Sequence, residues 1–180
     1  MYVSRILVVL FLMFGILASA QKKYEREYRI KRSQFPESAL AYIENDLKDV
    51  RRIRYYKEVD GDKTSYTAKF KRDRLKYGIE FDEEGQLVAM EILIKPIDIP
   101  DDVYDKITFY LDNNYNKHRV LKIQQQYPLG EENTEKTVKN AFQNLMLPYI
   151  KYVFAVKGKK ESGFEQYECI FDAEGQFEMM

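Results

Sequence analysis

The chain predicts an α+β fold: two tandem helix-plus-four-stranded antiparallel sheet units, helices packed on one face of the sheets, with an extra inserted helix in the second unit. Three observations predict it. The phrase Phe81-Asp82-Glu83-Glu84-Gly85-Gln86-Leu87 returns ninety positions later as Phe171-Asp172-Ala173-Glu174-Gly175-Gln176-Phe177, which marks a unit built twice. Each half opens on a proline followed by a helical pattern, at Phe35-Pro36 and again at Ile99-Pro100. Behind each helix the hydrophobic period drops to two, the period of a strand.

Residues 1–20 have the form of a signal peptide. Arg5 supplies a positive start, Ile6 to Leu17 an apolar stretch, and Ala18-Ser19-Ala20 a small-residue cleavage site. The apolar run falls short of the about 20 residues that cross a bilayer, so removal is expected, with no stable membrane anchor afterwards. Residues 21–32 form a charged lead-in, either a solvated tail or, from Glu27 onward, a short strand.

The first unit is placed at residues 33–95. Leu40, Ile43, Leu47 and Val50 follow Pro36 at helical spacing, predicting an amphipathic helix from about Glu37 to Lys48. Ile53, Tyr55, Lys57 and Val59 then alternate with Arg52, Arg54, Tyr56 and Glu58, and Asp60-Gly61 signals a hairpin. Tyr66, Ala68 and Phe70 face inward on the next strand, with Thr67, Lys69 and Lys71 outward. After a turn at Asp73-Arg74, Leu75, Tyr77, Ile79 and Phe81 face inward, with Lys76, Gly78 and Glu80 outward. Leu87 to Ile94 is apolar except for Glu91, as expected of a strand covered on both faces or lying where the halves meet.

The second unit spans residues 96–180. Val103, Ile107, Tyr110 or Leu111, and Tyr115 mark a helix running to about Asn116. Strands are expected at Val120 to Tyr127, Tyr149 to Lys157, Phe164 to Asp172 and Gln176 to Met180. The insertion at residues 128–148 carries Val138, Ala141, Phe142, Leu145 and Met146 at helical spacing, with Asn133 or Thr134 as the cap.

The 180 residues balance to zero net charge, and loss of Arg5 with the leader leaves 28 basic against 29 acidic groups. A dedicated nucleic-acid binder normally shows a basic excess, so no nucleic acid is expected as partner. Cys169 is the only cysteine, so an exported chain must hold itself together by burial and not by a disulfide framework. At roughly 160 residues after cleavage it can bury about 70% of its unfolded surface, whereas either half alone would be marginal.

With these elements in place, the chain resembles the PepSY-like or beta-lactamase-inhibitor-like tandem domains of exported Bacteroidota proteins. The resemblance rests on Arg29-Ile30-Lys31-Arg32-Ser33-Gln34-Phe35-Pro36, on Tyr66-Thr67-Ala68-Lys69-Phe70-Lys71, and on Tyr77-Gly78-Ile79-Glu80-Phe81-Asp82-Glu83-Glu84-Gly85. Tyr167-Glu168-Cys169-Ile170-Phe171-Asp172 with Gly175 echoes the last of these. It covers nearly the whole chain after the leader, through packing and turn motifs. It implies helix-plus-sheet units able to form one concave surface, a role in binding proteins or peptides, and no catalytic residues. The inserted helix and the short last strand depart from that pattern.

The chemistry-bearing residues read as structural. His118, the only histidine, is expected in an exposed helix-to-strand loop, and a triad would need an oriented nucleophile and a third group beside it. Cys169 stands where Ile79 stands in the first unit, on the core face, where cysteine packs as a small hydrophobe. Asp60-Gly61-Asp62 would open a calcium loop with Ser65 where glycine is required and Lys71 where a bidentate glutamate belongs, so the hairpin reading holds. Asp82 with Glu84, and Asp172 with Glu174, belong to tight turns. Neither a glycine-rich phosphate loop nor a Cys/His cluster occurs, so no cofactor and no metal are expected.

One surface invites a functional reading. Arg52, Arg54, Tyr56, Lys69, Lys71 and Lys76 share the outward phase of the first sheet, with Glu58 and Glu80 the nearby acids. A solvated face kept charged against aggregation explains them blandly. A contact surface anchored by Tyr and Arg explains them functionally. The expectation is an exported, non-enzymatic protein- or peptide-binding module, periplasmic or extracellular, with hairpin tips at Asp60 to Lys63 and Lys157 to Gly163 adding contacts. An inhibitor or regulator of a secreted hydrolase is the alternative, and a carboxylate-based enzyme a more distant one.

Overall fold

The computed structural model describes residues 26–47, 50, 52–130, 133–160 and 163–178. The signal-peptide reading of residues 1–20, the start of the lead-in, and the expected ends at Lys48 and Met180 lie outside them. Among the described residues nine strands form one antiparallel sheet in chain order: β1 Arg26–Ile30, β2 Arg54–Asp60, β3 Lys63–Arg72, β4 Leu75–Phe81, β5 Leu87–Ile94, β6 Lys117–Pro128, β7 Lys151–Lys160, β8 Gly163–Phe171 and β9 Phe177–Glu178. Among the described residues there are three α-helices: α1 Glu37–Asp46, α2 Asp101–Asn114 and α3 Thr134–Phe142.

Alternation decides which side of the sheet each residue serves. Ala68, Phe70, Tyr77, Ile79, Phe81, Met90, Ile92, Ile123, Tyr127, Phe154, Cys169 and Phe171 are all buried, in one core with Ile43 of α1, Ile107 of α2 and Val138 of α3. The apolar stripe of each helix therefore meets the same sheet face, and among the described residues no helix packs on the opposite face. Strand β5 pairs with β6, joining the part of the sheet that follows α1 to the part that follows α2. The run from Leu87 to Ile94 is thus explained by its place between the halves and not by cover on both sides, since Leu93 is exposed.

Matching details recur in the two halves. Pro36 and Pro100 sit at the start of α1 and α2 with φ/ψ of −56/137 and −54/137. In each half an aspartate, Asp82 or Asp172, bonds the backbone N–H of Gln86 or Gln176 at 2.7 and 2.8 Å. Gly85 and Gly175 close those turns at φ +79 and +81, where a Cβ would be strained. Each turn rests on the N-terminal half of its helix: Ser38 Oγ donates to the Glu84 carbonyl at 2.8 Å, and Lys106 Nζ to that of Glu174 at 3.1 Å.

The structure revises several element boundaries. The lead-in is strand β1, paired with β2 from Arg26↔Val59 to Ile30↔Tyr55. Helix α1 ends at Asp46 because Leu47 leaves helical geometry at φ −120. Asn133 is the cap of α3, accepting from Lys136 N at 2.9 Å, but the helix stops at Phe142. Asn144 turns left-handed at φ 50, so Leu145 and Met146 fall beyond the helix and Met146 is exposed. His118 is the second residue of β6, not a loop residue, with its side chain 19% exposed and Nδ1 3.7 Å from Asp112 Oδ1. Cys169 is buried as expected, its Sγ 3.3 Å from the Tyr115 hydroxyl.

Candidate functional site

The sheet face opposite these helices carries a groove of about 650 Å³ that crosses β2 to β6. Its walls include Arg52, Arg54, Tyr56, Lys69, Lys71 and Lys76, so the six residues proposed from the outward phase come together in one place. Register is what gathers them. Arg54 pairs with Lys69, Lys69 with Gly78, and Lys71 with Lys76, and directly opposed residues project to the same side. Arg52 precedes β2 at φ +62, and Arg74 in the β3–β4 turn adds a further cation.

Cations so placed repel one another, and few of them are neutralised locally. Lys69 binds Glu27 of β1 and packs over the Tyr56 ring, 4.6 Å from its centroid. Among the described residues Arg52, Arg54, Lys71, Arg74 and Lys76 make no ion pair or side-chain hydrogen bond. Lys71 and Lys76 face each other across the β3–β4 ladder with no acid between them in register. Like charges directly opposed weaken a sheet.

Sequence reasoning did not assign the floor of the groove. Glu91 on β5 faces Gly78 on β4 and Gln126 on β6. Gln124 Nε2 donates to Glu91 Oε2, and Gln126 Nε2 lies 3.5 Å from Oε1. A Cβ at Gly78 would come 3.2 Å from Glu91 Oε2, so glycine there makes room for the carboxyl. Burial first, and Glu80 second, push the Glu91 carboxyl up to about 7, against opposing pulls from Lys122 and Lys69. The signal was present in the sequence as the one charge in the run from Leu87 to Ile94. Its importance depends on the β5–β6 pairing, which alternation alone does not give.

Other expected features resolve as structure. Asp60-Gly61-Asp62 is a hairpin tip with Gly61 at φ +59, and Asp73 and Arg74 take φ 47 and 74 in the next tight turn. Asp73, the other acid of the groove wall, lies 3.5 Å from Arg72. Among the described residues no group of three or more His, Cys, Asp or Glu could hold a metal ion, and no helix is long and apolar enough to cross a membrane.

No protein-family model and no curated protein matches this sequence. Solved structures do share its fold. A DUF2874 family protein from Bacteroides ovatus aligns at 12% identity with a TM-score of 0.53, over 81% of this chain and 85% of that one. A protein from Bacteroides eggerthii, described as periplasmic, aligns at 12% identity and 0.52, over 81% and 86%. A BLIP-like protein from Bacteroides fragilis aligns at 14% identity and 0.50, over 81% and 84%. The architecture, a large antiparallel sheet backed by helices, is therefore the BLIP-like one, in keeping with the resemblance drawn from the sequence motifs. At these identities the likeness defines the fold.

Proposed function

We propose that this chain is an exported, non-enzymatic binding module whose open sheet face grips a protein or peptide through the groove around Glu91. The observation that carries the reading is the set of cations left unpaired there, with Lys71 directly opposite Lys76. A surface charged only for solubility mixes its signs, whereas opposed like charges cost stability unless a ligand neutralises them. Two helix-plus-four-strand units sharing one sheet provide the platform; the repeated proline, aspartate and glycine geometry supports that division. The leader-like start at residues 1–20 and the periplasmic description of the Bacteroides eggerthii protein support action outside the cytoplasm.

The test is a photo-crosslinking residue placed at Lys71 of the secreted full chain. Adducts with a defined periplasmic or secreted protein, lost when Arg54 and Lys76 are both changed to Glu, are the expected result. Absence of adducts at Lys71, Tyr56 and Arg74 alike overturns the reading. Inhibition of a secreted hydrolase is the narrower version suggested by the name of the BLIP-like protein. It requires a stoichiometric loss of hydrolase activity, and a flat dose response removes it.

A further inference from the structure

The chemistry of the groove narrows what it can hold, given that it binds at all as read above. Arg52, Arg54 and Arg74 present guanidinium forks, which suit planar carboxylates because two N–H groups can meet two oxygens. Aromatic platforms for nucleobases are lacking in its walls: Lys69 covers the Tyr56 ring, and Phe70 and Tyr77 are buried in the core. The whole chain is near neutral, so the positive field is local to this groove. These features favour a short run of Asp and Glu side chains over a nucleic acid.

Glu91 lies on the floor of the same groove. The groups facing it are Glu80 and Gly78 from β4, Lys69 from β3, Lys122, Gln124 and Gln126 from β6, and Glu168 from β8. We propose that the groove takes an acidic segment of a partner protein, and that protonation of Glu91 strengthens the grip. A neutral Glu91 removes a negative charge from the floor and leaves Asp73, beside Arg72, as the acid of the groove wall, while an ionised Glu91 puts a negative charge beneath the ligand carboxylates. Its carboxyl changes state near neutrality, well above the range in which ligand Asp and Glu titrate. Affinity therefore rises as pH falls from 8 to 6, and a bound acidic segment draws a proton onto Glu91.

The experiment measures binding of a fluorescent oligoglutamate peptide to the full chain, with an oligoserine peptide and a single-stranded DNA oligonucleotide of equal charge as comparators. The expected result is preference for oligoglutamate, about fivefold tighter at pH 6 than at pH 8. Glu91→Gln holds the tighter value at both pH values, and Lys71→Glu weakens binding at least about tenfold. Equal binding of the oligonucleotide, or a wild-type affinity that ignores pH, overturns the proposal. So does a failure of oligoglutamate to exceed oligoserine. A random peptide library panned on the same protein separates the two levels. Non-acidic binders lost in Lys71→Glu end the acidic assignment and leave the groove reading standing, whereas a library with no groove-dependent binder removes both.

Discussion

On the face covered by helices, the two halves of this molecule solve the same problem in the same way. Ala39, Ile43 and Leu47 lie three, seven and eleven residues after Pro36, and Val103, Ile107 and Leu111 hold the same places after Pro100; all six are buried. On the open face the halves part. In the second half Lys151 meets Glu178 at 2.5 Å, and the residues between Lys151 and Lys157 on that face are Val153 and Ala155. In the first half Arg54, Lys71 and Lys76 stand around a groove with no ion pair among the described residues. The covered face is constrained by packing, which both helices satisfy with apolar residues at the same spacing. The other face carries only local burial, at Val153 and Ala89 for example, so its charges are free to differ between the halves.

The likeness of the covered faces is broken most sharply at the turn glycines. Gly85 and Gly175 combine positive φ with close neighbours: an added Cβ would lie 2.9 Å from Pro36 Cβ in one case and 2.8 Å from the Val103 carbonyl oxygen in the other. Gly61 has φ +59 but open space around it. Ala at Gly85 or Gly175 should each cost about 2–3 kcal/mol, against about 1 kcal/mol at Gly61, where only backbone strain applies. Urea midpoints of the three variants check this. A Gly175 variant as mild as that at Gly61 would show that only one half depends on its turn.

Glu91 gives the next effect. Its folded carboxyl titrates near 7 against an ordinary value of 4.5, so the fold holds this proton more tightly than the unfolded chain does. The favourable difference is complete below 4.5 and is lost as pH rises through 7. Glu91→Gln keeps a neutral amide beside Gln124 and Gly78, and should remove that slope. Its stability relative to wild type should rise by about 2 kcal/mol between pH 5 and pH 8. Thermal melts of both proteins across that range give the difference, and parallel curves would place the titration elsewhere.

Much of this was legible in the residues, and the failures share a cause. Alternation from Ile53 to Phe81 and the Asp73-Arg74 turn are local signals, and local signals placed β2, β3 and β4. The core role of Cys169 followed from its phase with Phe171. The basic cluster was legible because it lies on three strands joined by short turns, whose register a hairpin dictates. Glu91 needed the pairing of β5 with β6, across a connection that contains the whole of α2. The early stop of α3 was hidden for another reason: Leu145 and Met146 keep the helical spacing, but Asn144 takes the left-handed conformation. A hydrophobic pattern registers spacing and is blind to a single φ.

The smallest effect sharpens the comparison of the open faces. Lys151 has Glu178 within bonding distance, each side chain about one-third exposed, so replacing Lys151 by Gln should cost up to about 1 kcal/mol. Lys76 faces Lys71 across the ladder and has no acid in contact among the described residues, so Lys76→Gln should instead stabilise the fold by a few tenths, about 0.2–0.5 kcal/mol. High salt should shrink both changes, since each is electrostatic and near the surface. Opposite signs in paired denaturation curves would mean that the first half gives up stability to keep a charge that the second half neutralises. A loss in both variants would mean that Lys76 is held by contacts of its own, and the groove would then be an ordinary charged surface.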